Sequence, residues 1–334
     1  MAGIAKNELG VMRWEGRRVL PQASRGYDFG MRPAILLSLL FLASCAAPQR
    51  LSYAQVESVA VGRTLGYAVW APIDLRPEER LPLVVFLHGA ADDETCFDEA
   101  QVGQSLDRAL ANGEIPRAVI AVPDGQLGFW ENWYDGSRNY RDWVIDEVMP
   151  EVEDRFHTLP CPEGCHIAGI SMGGHGALRF ALFRPDRFST VISVSGLILS
   201  TEDVTRLSDS WFTRLFIPMD RIWGPVSDRE RVESEDPFLR WTTQEDLQGL
   251  RLMIAWAEFD QKDIAKSNRA FQLHLAEQHI EHEYVVFPGR HNWKSWTPTF
   301  NQLLRFAIWG SMRADGPEQT VVRIETWKKA NEAR

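Results

Sequence analysis

The segment Gly169-Ile170-Ser171-Met172-Gly173 sets a serine in the pattern G-x-S-x-G, with a β-branched apolar run before it and an apolar-periodic stretch after it. In that strand–turn–helix setting a serine is presented on a sharp turn as a nucleophile. The glycines meet a steric need, because side chains two residues either side would strike backbone that the turn brings close. A serine hydroxyl is a weak nucleophile at neutral pH, so it needs a histidine base, and the base needs an acid to fix its tautomer. Both stand downstream, acid first. His291 lies in Pro288-Gly289-Arg290-His291-Asn292-Trp293, a loop between an apolar strand and the last helix, where a catalytic group is well placed. His274 and His279 read as helix-surface residues, His282 as a strand-entry residue, and His157 and His166 as loop-edge residues. For the acid, Trp256-Ala257-Glu258-Phe259-Asp260-Gln261-Lys262-Asp263 offers three carboxylates. Asp260, three residues past the apolar strand end, is chosen. Glu258 is closer to the strand, and Asp263, which reads as an N-cap ahead of Ile264, stays open as the alternative.

Acyl transfer also needs two N–H groups aimed at the developing oxyanion. Met172, just after the nucleophile, supplies one. Ala90, in Phe86-Leu87-His88-Gly89-Ala90-Ala91 after the first buried strand, supplies the other, with Gly89 permitting the unusual backbone angle. His88 reads as a structural hydrogen-bonder. Trp130, Trp133, Trp293 and Trp296 fall near loops that border such a site and are candidate contacts for a sugar ring or an aryl group, against the alternative of ordinary aromatic packing.

These residues must be held by a scaffold, and from residue 52 onward short β-rich runs alternate with helical patterns, the signature of a mostly parallel sheet with helices on both faces. Residues 56–61 and 67–71 form an entry hairpin, and strands follow at 81–87, 117–122, 165–170, 189–194, 252–256 and 283–287. Helices are expected at 101–112, 140–156, 172–183, 264–279 and 299–309. The tryptophan-rich stretch 199–248 interrupts the alternation and reads as an inserted cap, too short for a core of its own.

Residues 35–43, preceded by Ala34, are an apolar run of export-signal length behind Arg32, ending in Leu42-Ala43-Ser44-Cys45, which is similar to a bacterial lipobox with Cys45 as the lipidated residue. On this reading residues 1–30 are an upstream extension or a mis-called start, 31–44 a signal peptide, 45–310 the catalytic domain and 311–334 a polar tail. The full chain carries a net charge of −10, and removal of the six basic and three acidic side chains of the leader takes it to −13. The charge therefore argues against nucleic acid as a partner, since binding it requires a basic footprint. The expected membrane link is the lipid at Cys45. Export also permits a disulfide between Cys161 and Cys165. No second Cys or His pair stands at ligand spacing, so neither a metal nor a cofactor is expected.

The chain resembles α/β-hydrolase-fold serine esterases of the esterase D, feruloyl esterase and antigen 85 group. The resemblance is carried by Phe86-Leu87-His88-Gly89, Val122-Pro123-Asp124-Gly125, the helix 142–156, Gly169-to-Ala177 and Gly289-Arg290-His291-Asn292-Trp293 with Trp296. It implies Ser171 as nucleophile, His291 as base, Asp260 as acid, and Ala90 and Met172 as oxyanion donors. Alanine at 257, where the group often has glycine, and a longer acid-to-helix spacing depart from the pattern. The expected function is a serine carboxylic ester hydrolase outside the cytoplasm. The alternatives are an acyltransferase working on the same acyl-enzyme, and a lipoprotein that uses the fold only for binding.

Overall fold

The computed structural model describes residues 51–310; Cys45, the signal-like run and the tail after 310 lie outside the described residues. Eight strands form one sheet: β1 (Leu51–Ser58), β2 (Arg63–Trp70), β3 (Leu83–Leu87), β4 (Val119–Pro123), β5 (Cys165–Ile170), β6 (Thr190–Val194), β7 (Arg251–Phe259) and β8 (Glu283–Arg290). Their order is β1-β2-β4-β3-β5-β6-β7-β8. β1 and β2 pair antiparallel, β2 joins β4 antiparallel, and β3 to β8 run parallel. Every residue of β3, β4, β5 and β6 is buried, as expected of parallel strands covered on both faces, and explains why these stretches read as continuous apolar runs.

Apolar cores lie on the two faces of the sheet. Helix α1 (Val102–Ala111) buries Val102, Gly103, Leu106 and Ala109 at three- to four-residue steps. The long helix expected at 140–156 is present, but its middle, Trp143–Val148, is wound as a π-helix ahead of α2 (Met149–Phe156). Helix α3 (Met172–Phe183), rich in small residues, is buried along almost its whole length.

Between β6 and β7 the insertion is a series of short helices, Thr201–Asp209, Trp211–Phe216, Met219–Ile222, Arg229–Ser234 and Pro237–Arg240. Ser200 opens the first with a reciprocal capping box to Asp203. Met219, Ile222, Trp223, Val232 and Trp241 are buried in the same core as β3 and β5, so the insertion shares the main core. Helix α4 (Lys262–Glu277) then leads to β8.

Three expectations are corrected. β8 runs on through Pro288 and Gly289 to Arg290, which an edge strand tolerates because its outer N–H groups have no ladder partner. β7 runs to Phe259 with a register shift between Ala257 and Phe259, so Asp260 directly follows the strand. His166 lies inside β5, and burial, with the Arg251 charge adding to it, pushes its imidazole down to about 3.

Among the described residues no helix is long and apolar enough to cross a membrane. Cys161 and Cys165 are joined in a disulfide with a Cα–Cα separation of 5.0 Å. The small cluster they form with Glu153 therefore offers no thiolate.

Candidate active site

The carboxyl ends of the neighbouring strands β3, β5, β6, β7 and β8 lie side by side, followed at once by His88, Ser171, Ser195, Asp260 and His291. Ser171 follows β5 in a backbone conformation of φ 53° and ψ −117°, a region costly for a residue with a side chain. The flanking glycines make this turn possible. A Cβ on Gly169 would run into the carbonyl of Gly173, and one on Gly173 into the carbonyl of Leu87. The Ser171 N–H donates to Val194 O at 2.9 Å, and its carbonyl accepts the His175 N–H at 3.1 Å, pinning the elbow to β6 and to α3.

His291 Nε2 stands 2.9 Å from Ser171 Oγ, and its Nδ1 stands 2.6 Å from Asp260 Oδ1. The only tautomer that serves both contacts carries its proton on Nδ1, donates it to the carboxylate, and leaves Nε2 to accept from the serine hydroxyl. The Asp260 side chain is fully buried. Its Oδ2 accepts the Ser195 hydroxyl at 2.5 Å and the Ala257 N–H at 3.1 Å, and Oδ1 also accepts the Gln261 N–H at 2.8 Å. Burial alone would raise its pKa, but the bonds from His291, Ser195 and the Ala257 N–H outweigh that, and the net direction is down. Asp260 is thus held as an anion. Asp263 is exposed in the first turn of α4, whose N-cap is Gln261, so it is not the cap, and the carboxylate that meets His291 is that of Asp260. Glu258 is exposed as well.

Ser195 is the residue that reading the sequence missed. It is fully buried just after β6, holds φ 47°, and bonds through its N–H to Ala255 O at 2.6 Å. Its hydroxyl accepts the Trp296 indole N–H at 3.1 Å while donating to Asp260. A non-glycine residue at positive φ after a buried strand is no motif, and nothing short of the folded geometry marks it.

Met172 is the first residue of α3, so its N–H is among the helix-start donors that lack an intrahelical acceptor. Ala90 is exposed at the tip of the turn after β3, and Gly89 packs against Ser171. The turn is anchored by His88, which is fully buried: Nδ1 lies 2.8 Å from Gly89 O, and Nε2 accepts the Gly125 N–H at 2.9 Å. These are the bonds of a structural histidine.

The four tryptophans separate. Trp130 is fully buried and donates to His88 O at 3.2 Å, so it supports the turn after β3. Trp133 is buried, with the guanidinium groups of Arg138 and Arg221 each 5.0 Å from its ring. Trp296 is buried with its ring 4.8 Å from that of His291, edge to face, and bonds to Ser195. For these three the substrate-contact reading gives way to packing, since large aromatic rings gain most by full burial. Trp293 is half-buried and remains at the surface of the site.

Strand order and the Ser171–His291–Asp260 line together are those of the α/β-hydrolase fold. More particularly, the Esterase family model matches residues 58–307, and the chain belongs to that family. It is 27% identical over 263 residues to the esterase Rv1288 of Mycobacterium tuberculosis, covering 72% of this chain and 56% of that protein, so it spans little more than half of this relative. Among solved structures, FphF, a fluorophosphonate-binding serine hydrolase of Staphylococcus aureus, superposes with a TM-score of 0.64 at 22% identity, over 77% of this chain and 98% of its own. A ferulic acid esterase superposes at 0.63 and 21% identity, over 78% and 98%. At these identities the two structures speak for the fold.

Proposed function

We propose that the protein is a serine carboxylic ester hydrolase. Ser171 Oγ attacks the ester carbonyl while His291 Nε2 takes its proton, and the oxyanion is held by the N–H groups of Met172 and Ala90. The tetrahedral intermediate collapses as His291 protonates the leaving alkoxide, and a water deprotonated by the same nitrogen then releases the acid. Asp260 stays ionised throughout and stabilises the imidazolium. The observation that carries this reading is the continuous line from Ser171 Oγ through His291 to Asp260, at 2.9 and 2.6 Å. Family membership and the likeness to a ferulic acid esterase support carboxylic esters, aryl esters among them, as the substrates.

A fluorophosphonate probe should label the wild type and not Ser171→Ala, with parallel loss of 4-nitrophenyl acetate hydrolysis. Equal labelling of the two proteins would sink the proposal. The lipobox-like Cys45 supports export and a lipid anchor in the cell envelope, with 45–310 as the catalytic unit. Cys45→Ala should move the protein out of the membrane fraction, and an unchanged membrane pool would refute the anchor.

A further inference from the structure

A carboxylate that this chemistry does not use stands beside the nucleophile. Asp92 closes the turn that begins at Gly89, its N–H donating to Gly89 O at 3.3 Å. A carbon in the Cβ position of Gly89 would lie 3.4 Å from Asp92 Oδ2 and 3.4 Å from Ser171 Cβ, so carboxylate and nucleophile border the same small volume. Asp92 Oδ1 accepts the Trp293 indole N–H at 3.4 Å, two residues past His291. Asp92 therefore reaches from the oxyanion turn to the loop that carries the base. Partial burial raises its pKa, and the Trp293 N–H and His88 oppose that. Glu99 and Asp93 add negative charge around it. Asp93 itself is turned to other work, with Oδ1 holding the Thr95 N–H and hydroxyl at 2.8 and 2.5 Å.

We propose that Asp92 is a specificity-determining residue that selects substrates by charge. It favours esters that are neutral, hydroxylated or cationic near the scissile bond and rejects those carrying a carboxylate, sulfonate or phosphate there. The inference rests on the serine esterase reading. A half-buried carboxylate is poorly screened, so a second anion in the same mouth is repelled strongly. A substrate hydroxyl or ammonium instead donates to the carboxylate. It also offsets the repulsion that Asp92 exerts on the developing oxyanion, so the benefit is largest in the transition state.

The test uses acetate esters of three phenols that differ at the para position: hydroxymethyl, trimethylammonium and carboxylate. Each kcat/KM at pH 8 and low salt is divided by the hydroxide-catalysed rate of the same ester, which removes leaving-group reactivity. The wild type is expected to prefer the neutral and cationic esters over the anionic one by about tenfold or more, a ratio that shrinks with added salt. Asp92→Asn, which keeps the acceptor for Trp293, should bring the ratio close to one, while Asp93→Asn retains it. A wild-type ratio near one, or the same ratio in Asp92→Asn as in the wild type, overturns the proposal. Wild-type rates no higher than those of Ser171→Ala would instead overturn the esterase reading, and this inference with it.

Discussion

Asp260, beside His291, and Glu131, beside His175 and Arg179 of α3, are both buried carboxylates, and they are held in different ways. Asp260 takes four hydrogen bonds between 2.5 and 3.1 Å, from His291, Ser195, Ala257 and Gln261. Glu131 is also fully buried, but its contacts are longer: 3.3 Å to His175, 3.4 Å to Arg179 and 3.7 Å to Arg141. Arg179, on α3, reaches on to Glu235 of the insertion at 3.8 Å, and Arg231 meets Glu235 at 3.1 Å. Among the described residues Glu131 Oε2, Glu235 Oε2 and both terminal nitrogens of Arg179 have no hydrogen-bond partner. The first site spends its bonds on orienting one atom. The second spreads charge over several groups and ties α3 to the insertion without fixing any of them sharply. A buried ion cluster of that kind contributes little net stability while intact and costs several kcal/mol when one partner is removed.

Titration differs in the same way. Burial pushes Glu131 upward, but His175, Arg179 and Arg141 outweigh it and hold it down to about 2. Burial also raises Glu235, the Glu131 charge adds to this, and Arg179 and Arg231 offset it only in part, so Glu235 rises to about 7. A group whose folded pKa is raised binds its proton better in the folded state. Glu235 therefore favours folding below its unfolded pKa, and that contribution is lost as pH climbs from about 4.5 to about 7.

If the contrast is right, changes on the Asp260 side should fall on turnover, and changes on the Glu131 side on stability. Ser171→Ala should lower kcat by on the order of 10⁵- to 10⁶-fold, measured on a soluble ester, with KM little changed. Asp260→Asn should follow with a loss of roughly 10⁴-fold in kcat, because the amide favours the wrong imidazole tautomer. Ser195→Ala removes one hydrogen bond to a charged group, worth about 1.5–3 kcal/mol, so kcat should drop by roughly 10- to 100-fold. Fluorophosphonate labelling should slow in proportion, and a Ser195→Ala enzyme with wild-type kcat would erase the distinction. Glu235→Gln should have the smallest effect on kcat. Its mark is a flatter dependence of Tm on pH between 5 and 7, and an unaltered slope there would show that Glu235 does not titrate in that window.

Much of the site was legible because its parts obey local rules. The elbow needs glycine at 169 and 173, and strand and helix patterns on either side bound Ser171 closely, so β5 and α3 fall where the residues place them. His291 was marked by its position after the last strand. The structure sets Asp260 2.6 Å from His291, but the strand end expected before it falls short of the observed one, since the irregular pairing near Ala257 leaves no trace in hydropathy. The tryptophans were hardest to assign. A large aromatic next to a catalytic loop has the same sequence appearance whether it faces a ligand or fills the floor beneath it. Only burial separates Trp130, Trp133 and Trp296 from Trp293. Ser195, Glu131 and Glu235 were invisible because their roles come from partners remote along the chain.

The elbow at Ser171 has a cost in heat resistance. A side chain at φ 53° and ψ −117° is strained by about 1–3 kcal/mol, strain from which glycine would be free. Ser171→Gly, though inert toward esters, should melt several degrees higher than the wild type, and a lower melting temperature would mean that the serine's bond to His291 compensates for its backbone. On that expectation the protein tolerates less heat than its own scaffold permits, and the deficit sits at the residue proposed as the nucleophile.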